Sequence, residues 1–237
     1  MSAKTRKPKV SAKPRSRSGR TRSRPGRPGP HRRGSSSRVG FGVALAVAAT
    51  VVAAAFLWDG SREQTQGGGD YAFVVGSPGP GEPAPDLALP ATDGSTFDLA
   101  SFRGETVLLY FQEGLMCQPC WDQLTEIEAR FSDLSALGVD RIATITTDSL
   151  DLLAQKAADE GLTTPVLADR DLAVSDSYST TSFGMMGDGF NGHSFILVGA
   201  DGTILWRADY GGPPDHTMYL PVSSLLEDMR RGLEASG

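Results

Sequence analysis

TVLLYFQ, residues 106–112, is the stretch that most restricts this chain. It runs apolar from Val107 to Phe111, between turn signals, with no polar alternation. A strand of this kind hides both faces, so it belongs in the middle of a sheet covered on both sides. The rest of the chain must supply neighbouring strands and two covering layers.

Several segments fit that demand. DLALPATDGSTFDLASF turns at Asp93-Gly94 and reads as a hairpin. After the central strand, Trp121, Leu124, Ile127, Phe131 and Leu134 recur at helical spacing and predict one long helix. RIATITTD (141–148) reads as a second buried strand. SLDLLAQKAADEG (149–161) reads as a helix opened by a capping Ser or Asp and closed by Gly. PVLADR is a short strand, SFILVGADGTILWRAD (194–209) a hairpin about Asp201-Gly202, and PVSSLLEDMRRGLEAS an amphipathic helix. The order predicts an α/β domain over residues 82–237, with a mixed sheet and flanking helices.

What precedes that domain differs in kind. Residues 1–38 hold 14 Lys or Arg and no Asp or Glu, which leaves residues 39–237 with a net charge of −19. This arm is low in complexity and cannot bury a core. VGFGVALAVAATVVAAAFLW, residues 39–58, has no charge and no proline. As a helix it would span roughly 30 Å, the thickness of a bilayer's hydrocarbon. It predicts a single transmembrane helix. The basic arm before it fixes the N-terminus as cytoplasmic and the main domain as extracytoplasmic. Because the span explains the arm as a topology determinant, nucleic acid is not an expected partner. Residues 59–81, rich in Gly and Pro, read as a linker, in which YAFVV (71–75) can dock as a short strand.

The chain has two cysteines, in CQPC at 117–120. They fall where the central strand ends and the long helix begins, the edge at which open α/β sheets place their chemistry. A structural zinc site takes about four ligands, and no second cysteine pair exists. A structural disulfide closing so short a loop removes little chain entropy. A redox-active pair remains. Helix N-terminal N–H groups and the helix dipole favour a Cys117 thiolate, and Pro119 is tolerated in a first turn. Cys120 lies one turn on, placed to resolve an intermediate. No bound cofactor is expected.

Strand, CQPC at a helix start and a later SFILVGADGTI strand-turn-strand resemble the thioredoxin-like superfamily. GEPAPDLALPATDGSTFDLASFRGETVLLYF is similar to the opening of its redoxin branch, the alkyl hydroperoxide reductase/thiol-specific antioxidant group. With the apolar run, the chain resembles membrane-tethered bacterial thiol–disulfide oxidoreductases. The resemblance implies a sheet with helices on both faces, a nucleophilic Cys117 and a resolving Cys120. It also implies a protein or small-molecule disulfide or thiol as substrate and a membrane-borne thiol as electron donor. Thiol peroxidase activity is the alternative. Several positions depart from these families. Met116 stands where thioredoxins carry Trp, and Asn191-Gly192-His193 lacks their cis-proline. Tyr110, Gly114 and Gly192 stand at the matching places of the peroxiredoxin Pro, Thr and Arg.

His193 enters the sheet beside the cysteines, either as a thiolate stabiliser, proton carrier or metal ligand, or as a polar loop residue. Cys117, Cys120 and His193 together also resemble the set of Sco-type copper chaperones, which space their cysteines more widely. Thiolates and imidazole suit copper, so a copper-binding assembly protein is a second alternative. Glu113 is expected as an exposed loop acid. FGMMGDGFNGH (183–193) is expected as a flexible rim, its methionines and Met116 as packing or contact surface, and His216 as structural.

Overall fold

The structure, a computed structural model, describes residues 70–187 and 189–236. The basic arm, the predicted span at 39–58 and the first half of the linker lie outside the described residues. Among the described residues no helix is long and apolar enough to cross a membrane.

Five strands form the main sheet: β3 (Val107–Phe111), β4 (Arg141–Thr146), β5 (Val166–Ala168), β6 (Ser194–Val198) and β7 (Ile204–Asp209), in the order β5-β4-β3-β6-β7. The apolar run at 107–111 is the middle strand, every residue buried. It pairs parallel with β4 and antiparallel with β6. β1 (Ala88–Pro90) and β2 (Thr96–Asp98) form the hairpin read at Asp93-Gly94.

The strands send alternate residues to two cores. Leu108, Tyr110, Phe195 and Leu197 meet Trp121, Leu124, Ile127, Leu153, Leu225 and Met229. These come from α1 (Gln118–Ala129), α3 (Leu150–Glu160) and α5 (Val222–Ser236). Leu109, Phe111, Ile145 and Ile196 face the other way. There they meet Leu89 and Phe97 of the hairpin, with Val174 of the short α4 (Ala173–Ser177) and Tyr178 after it. Burying each such side chain contributes about 1.5–3 kcal/mol. The long helices thus share one face, and the hairpin with α4 covers the other.

Three readings need correction. The predicted long helix breaks at Arg130, whose backbone leaves the helical region, and α2 (Phe131–Ala136) follows. Its apolar stripe is continuous across the break, so periodicity alone cannot reveal it. α3 closes at Gly161 as read, but Ser149 makes no side-chain cap. Asp148 is committed elsewhere, as shown below. Finally, the linker ends earlier than residue 81: YAFVV docks on the sheet, as read, and the chain after it is held too. Phe73 and Val74 are buried, and Val74 exchanges backbone hydrogen bonds with Asp209. The Asp209 carboxylate accepts the Gly76 N–H at 2.8 Å, and Arg207 donates to the Pro78 carbonyl at 2.9 Å. Arg207 and Asp209 form a fully buried, two-bonded ion pair. A charge pair needs such further bonds when it leaves water, and the preceding chain supplies them.

Candidate redox site

β3 delivers the chain to the sheet edge, and the turn Gly114–Met116 carries it into α1. Gly114 has φ +88, and a Cβ there would collide with the Asp148 carboxylate. That carboxylate accepts the Leu115 N–H at 2.8 Å and the Thr146 hydroxyl at 3.1 Å. The Trp121 indole donates to the Gly114 carbonyl at 3.0 Å. The turn before the cysteines is therefore fixed from two sides.

Cys117 is the N-cap of α1, and Pro119 sits in the first turn. The two cysteines form a disulfide with Cα atoms 5.3 Å apart. The Cys117 Sγ also accepts the Cys120 N–H at 3.3 Å. The same N–H also donates to the Cys117 carbonyl at 3.0 Å, and the N-terminal end of the helix is where negative charge is favoured. Cys117 keeps 6% of its surface and Cys120 none, so Cys117 is the less buried residue of the pair.

His193 lies in the loop immediately before β6 and is buried. Its Nδ1 lies 3.0 Å from the Tyr110 hydroxyl, which also reaches the Cys120 carbonyl at 3.3 Å. Tyr110 stacks on Phe195, with ring centres 4.5 Å apart. Burial pushes the His193 pKa down to about 3, so the ring is neutral at neutral pH. Burial, and then the nearby Glu113 charge, hold the Tyr110 hydroxyl well above its usual range.

Glu113 is not an exposed acid. It is buried, and its carboxylate accepts the N–H groups of Met185 and Met186. This ties the glycine-rich loop to the turn before the cysteines. Met116, Met185 and Met186 remain exposed there, at 76%, 52% and 44%. They form an apolar rim, in keeping with a contact surface. His216 bonds the Gly211 carbonyl at 2.9 Å, a structural position.

Two places that matter for peroxide chemistry are closed to side chains. Gly114 is held by the turn just described. A Cβ on Gly192 would collide with the Phe183 carbonyl. Among the described residues no group of three or more His, Cys, Asp or Glu is arranged to hold a metal ion. Both sulfurs are in the disulfide, and His193 Nδ1 is bonded to Tyr110.

Comparison with known proteins follows the same outline. A family model described as AhpC/TSA family matches residues 80–207. The chain belongs to the AhpC/TSA family. Peroxiredoxin Bcp of Escherichia coli is 33% identical over 128 residues, covering 52% of this chain and 81% of that protein. In fold, the chain is similar to peroxidoxin BcpB from Mycobacterium tuberculosis (TM-score 0.54, 17% identity, 65% of this chain and 97% of that one). It is also similar to a peroxiredoxin-like protein from Aquifex aeolicus (TM-score 0.54, 10% identity, 68% and 92%). This AhpC/TSA member is thus a thioredoxin-like redox protein whose curated relatives are peroxiredoxins.

Cys117 and Cys120 were legible as a pair from spacing and context, and they are joined in a disulfide. Tyr110, Asp148 and the role of Glu113 were not. Asp148 ends the TTD run after a predicted strand, and only folding brings it to the turn at 114–115. Tyr110 reads as one more apolar residue of the central strand.

Proposed function

We propose that this chain is a thiol–disulfide oxidoreductase that cycles Cys117 and Cys120 between dithiol and disulfide. The observation that carries this reading is the Cys117 sulfur at the N-cap of α1, bonded to a helical N–H and disulfide-linked to a fully buried Cys120. The Cys117 thiolate attacks a substrate disulfide, forms a mixed disulfide and releases the first substrate thiolate. The Cys120 sulfur then attacks Cys117, and its proton goes to the departing second substrate sulfur. The Cys117–Cys120 disulfide closes and the second substrate group leaves as a thiol. Two electrons pass from the protein to the substrate. A thiol donor, proposed to be borne by the membrane, returns them. The substrate is a protein or small-molecule disulfide. The run at 39–58 is proposed as a single-pass anchor that holds the domain outside the cytoplasm.

The test is trapping. Cys120→Ser in the full chain should accumulate a mixed disulfide on Cys117 that thiol reductants release. Absence of any such adduct from cells would sink the reading.

The names of the relatives favour a second reading, peroxide reduction. There Cys117 would cleave an O–O bond, giving a sulfenic acid and an alcohol or water. Cys120 would then close the disulfide and release water. Efficient peroxidases place donors on the peroxide oxygens, and here Gly114 and Gly192 leave no room for side chains. Peroxide consumption that depends on Cys117 and outpaces disulfide turnover would favour this second reading.

A further inference from the structure

Five large apolar side chains stand exposed among the described residues, and three of them, Met116, Met185 and Met186, sit on the segments that flank the disulfide. Of the other two, Leu152 lies on α3 and the Tyr219 hydroxyl is bonded to Glu126. Met116 directly precedes Cys117. Met185 and Met186 belong to the glycine-rich loop, whose backbone is pinned twice to this edge of the sheet. Glu113, just past β3, accepts both of their N–H groups. Thr147, just past β4, donates to the Gly189 carbonyl at 3.1 Å. The backbone is held while the methionine side chains stay in water. An exposed apolar group of this kind, beside a candidate site, marks a contact surface.

Backbone groups next to the site are committed inside the fold. The Gly192 N–H is spent on the Thr180 carbonyl at 2.9 Å, and the His193 carbonyl takes the N–H groups of Tyr210 and Gly211. Recognition therefore falls to side chains. Charge points the same way. Residues 111–124 and 183–193 contain no Lys or Arg. Lys156 reaches the start of α1, but its ammonium is shared between Glu160 and the Gln118 side chain. A small acidic disulfide, such as that of glutathione, would bring its carboxylates to segments that offer them no cation.

We propose that Met116, Met185 and Met186 form the docking surface for the substrate, and that this substrate is a polypeptide disulfide flanked by apolar residues. The inference rests on the oxidoreductase reading and narrows its substrate class. Methionine is unbranched and its sulfur is polarizable, so one rim can pack against different side chains. Apolar residues around a disulfide are within reach only while the polypeptide is open, so an incompletely folded chain is the form that fits.

The experiment mixes the reduced full chain, in lipid nanodiscs, with three disulfides: a linear peptide with Leu and Phe around its cysteines, its twin with Ser and Asn, and glutathione disulfide. Below saturation the apolar peptide should oxidise Cys117 and Cys120 roughly tenfold faster than its polar twin, and glutathione disulfide should be the slowest. Tenfold corresponds to about 1.4 kcal/mol, less than full burial of one methionine contributes. In the triple variant Met116→Gln, Met185→Gln, Met186→Gln the two peptides should come within twofold of each other, the loss appearing in the concentration needed for half-saturation. Three Met→Leu changes at the same positions should keep the preference. Equal rates for the twin peptides in the wild type overturn the proposal, as does a preference that survives the glutamines or a fastest reaction with glutathione disulfide. Failure of the oxidoreductase reading would look different: none of the three disulfides would oxidise the pair, and Cys120→Ser would trap nothing.

Discussion

At the disulfide end of the sheet, four buried side-chain atoms have no hydrogen-bond partner among the described residues: Gln112 Oε1, Gln123 Nε2, His193 Nε2 and Ser194 Oγ. The opposite end, around the starts of β4 and β5, is built differently. A cavity of about 560 Å³ opens there between Phe97, Phe102, Phe131 and Ile142, lined also by Asp93, Glu128, Asp140 and Arg141. Its polar groups are engaged. Glu128 accepts from Thr163 and Thr164, Asp140 from the Thr106 N–H, and Asp93 from the Ser95 N–H. Arg141 is held by Glu105 and lies over the Phe102 ring. Most buried polar groups in proteins are satisfied, so clustered exceptions need a reason. At the cavity end these polar groups are bonded. The disulfide end keeps unmet groups near the Cys117–Cys120 pair, the kind of local inconsistency expected at a functional site.

The sharpest way to break this contrast is to remove sulfur at one end and charge at the other. Cys117→Ser should abolish disulfide turnover, measured with a small aromatic disulfide, while Arg141→Ala should leave it within about twofold. Comparable loss from both would dissolve the distinction.

Glycine substitutions sharpen it. Gly114→Ala forces a side chain against Asp148 at positive φ and should destabilise by about 3 kcal/mol or more in urea unfolding. Gly94→Ala, in the hairpin turn beside the cavity, also has positive φ but open space around its Cβ. It should cost only about 1 kcal/mol. Equal costs would show that φ, not the Asp148 clamp, sets the demand at Gly114.

A pH series probes the buried imidazole. The folded His193 pKa is depressed from 6.5 to about 3, so between those values the unfolded chain binds the proton and the folded protein does not. Its neutral form is fully tolerated above about pH 6.5, and stability should fall as the pH drops from there toward 3. In His193→Gln this part of the pH dependence should disappear. An unchanged profile would mean that His193 is not buried neutral.

The smallest effect belongs to the cavity end. Arg141 and Glu105 are both substantially exposed, so Arg141→Ala should shift stability by no more than about 0.5 kcal/mol by urea melts. A larger loss would mean that the pair organises the cavity.

Comparing reading with structure separates what was local from what was not. The central strand, both hairpins, α3 with its closing Gly161 and the final helix were legible because each rests on the spacing of neighbouring residues. Cys117 and Cys120 were legible for the same reason, being three apart at a strand-to-helix junction. The break at Arg130 was hidden by an apolar stripe that runs through it. YAFVV was legible as a docking segment, but the seating of residues 76–81 was hidden because the buried Arg207–Asp209 pair that binds them lies far along the chain.

By itself, the sequence determined the order of elements, the doubly covered strand and the position of the cysteine pair, since period, turn chemistry and helix ends act over a few residues. Tertiary structure decided which groups surround that pair. Asp148 on Leu115, Glu113 on Met185 and Met186, and Tyr110 between Cys120 and His193 join residues from 30 to over 80 positions apart, Tyr110 and Cys120 excepted. Hydrogen bonds of that range carry no sequence period. They exist only once parallel and antiparallel strands have brought β3, β4 and β6 to one edge.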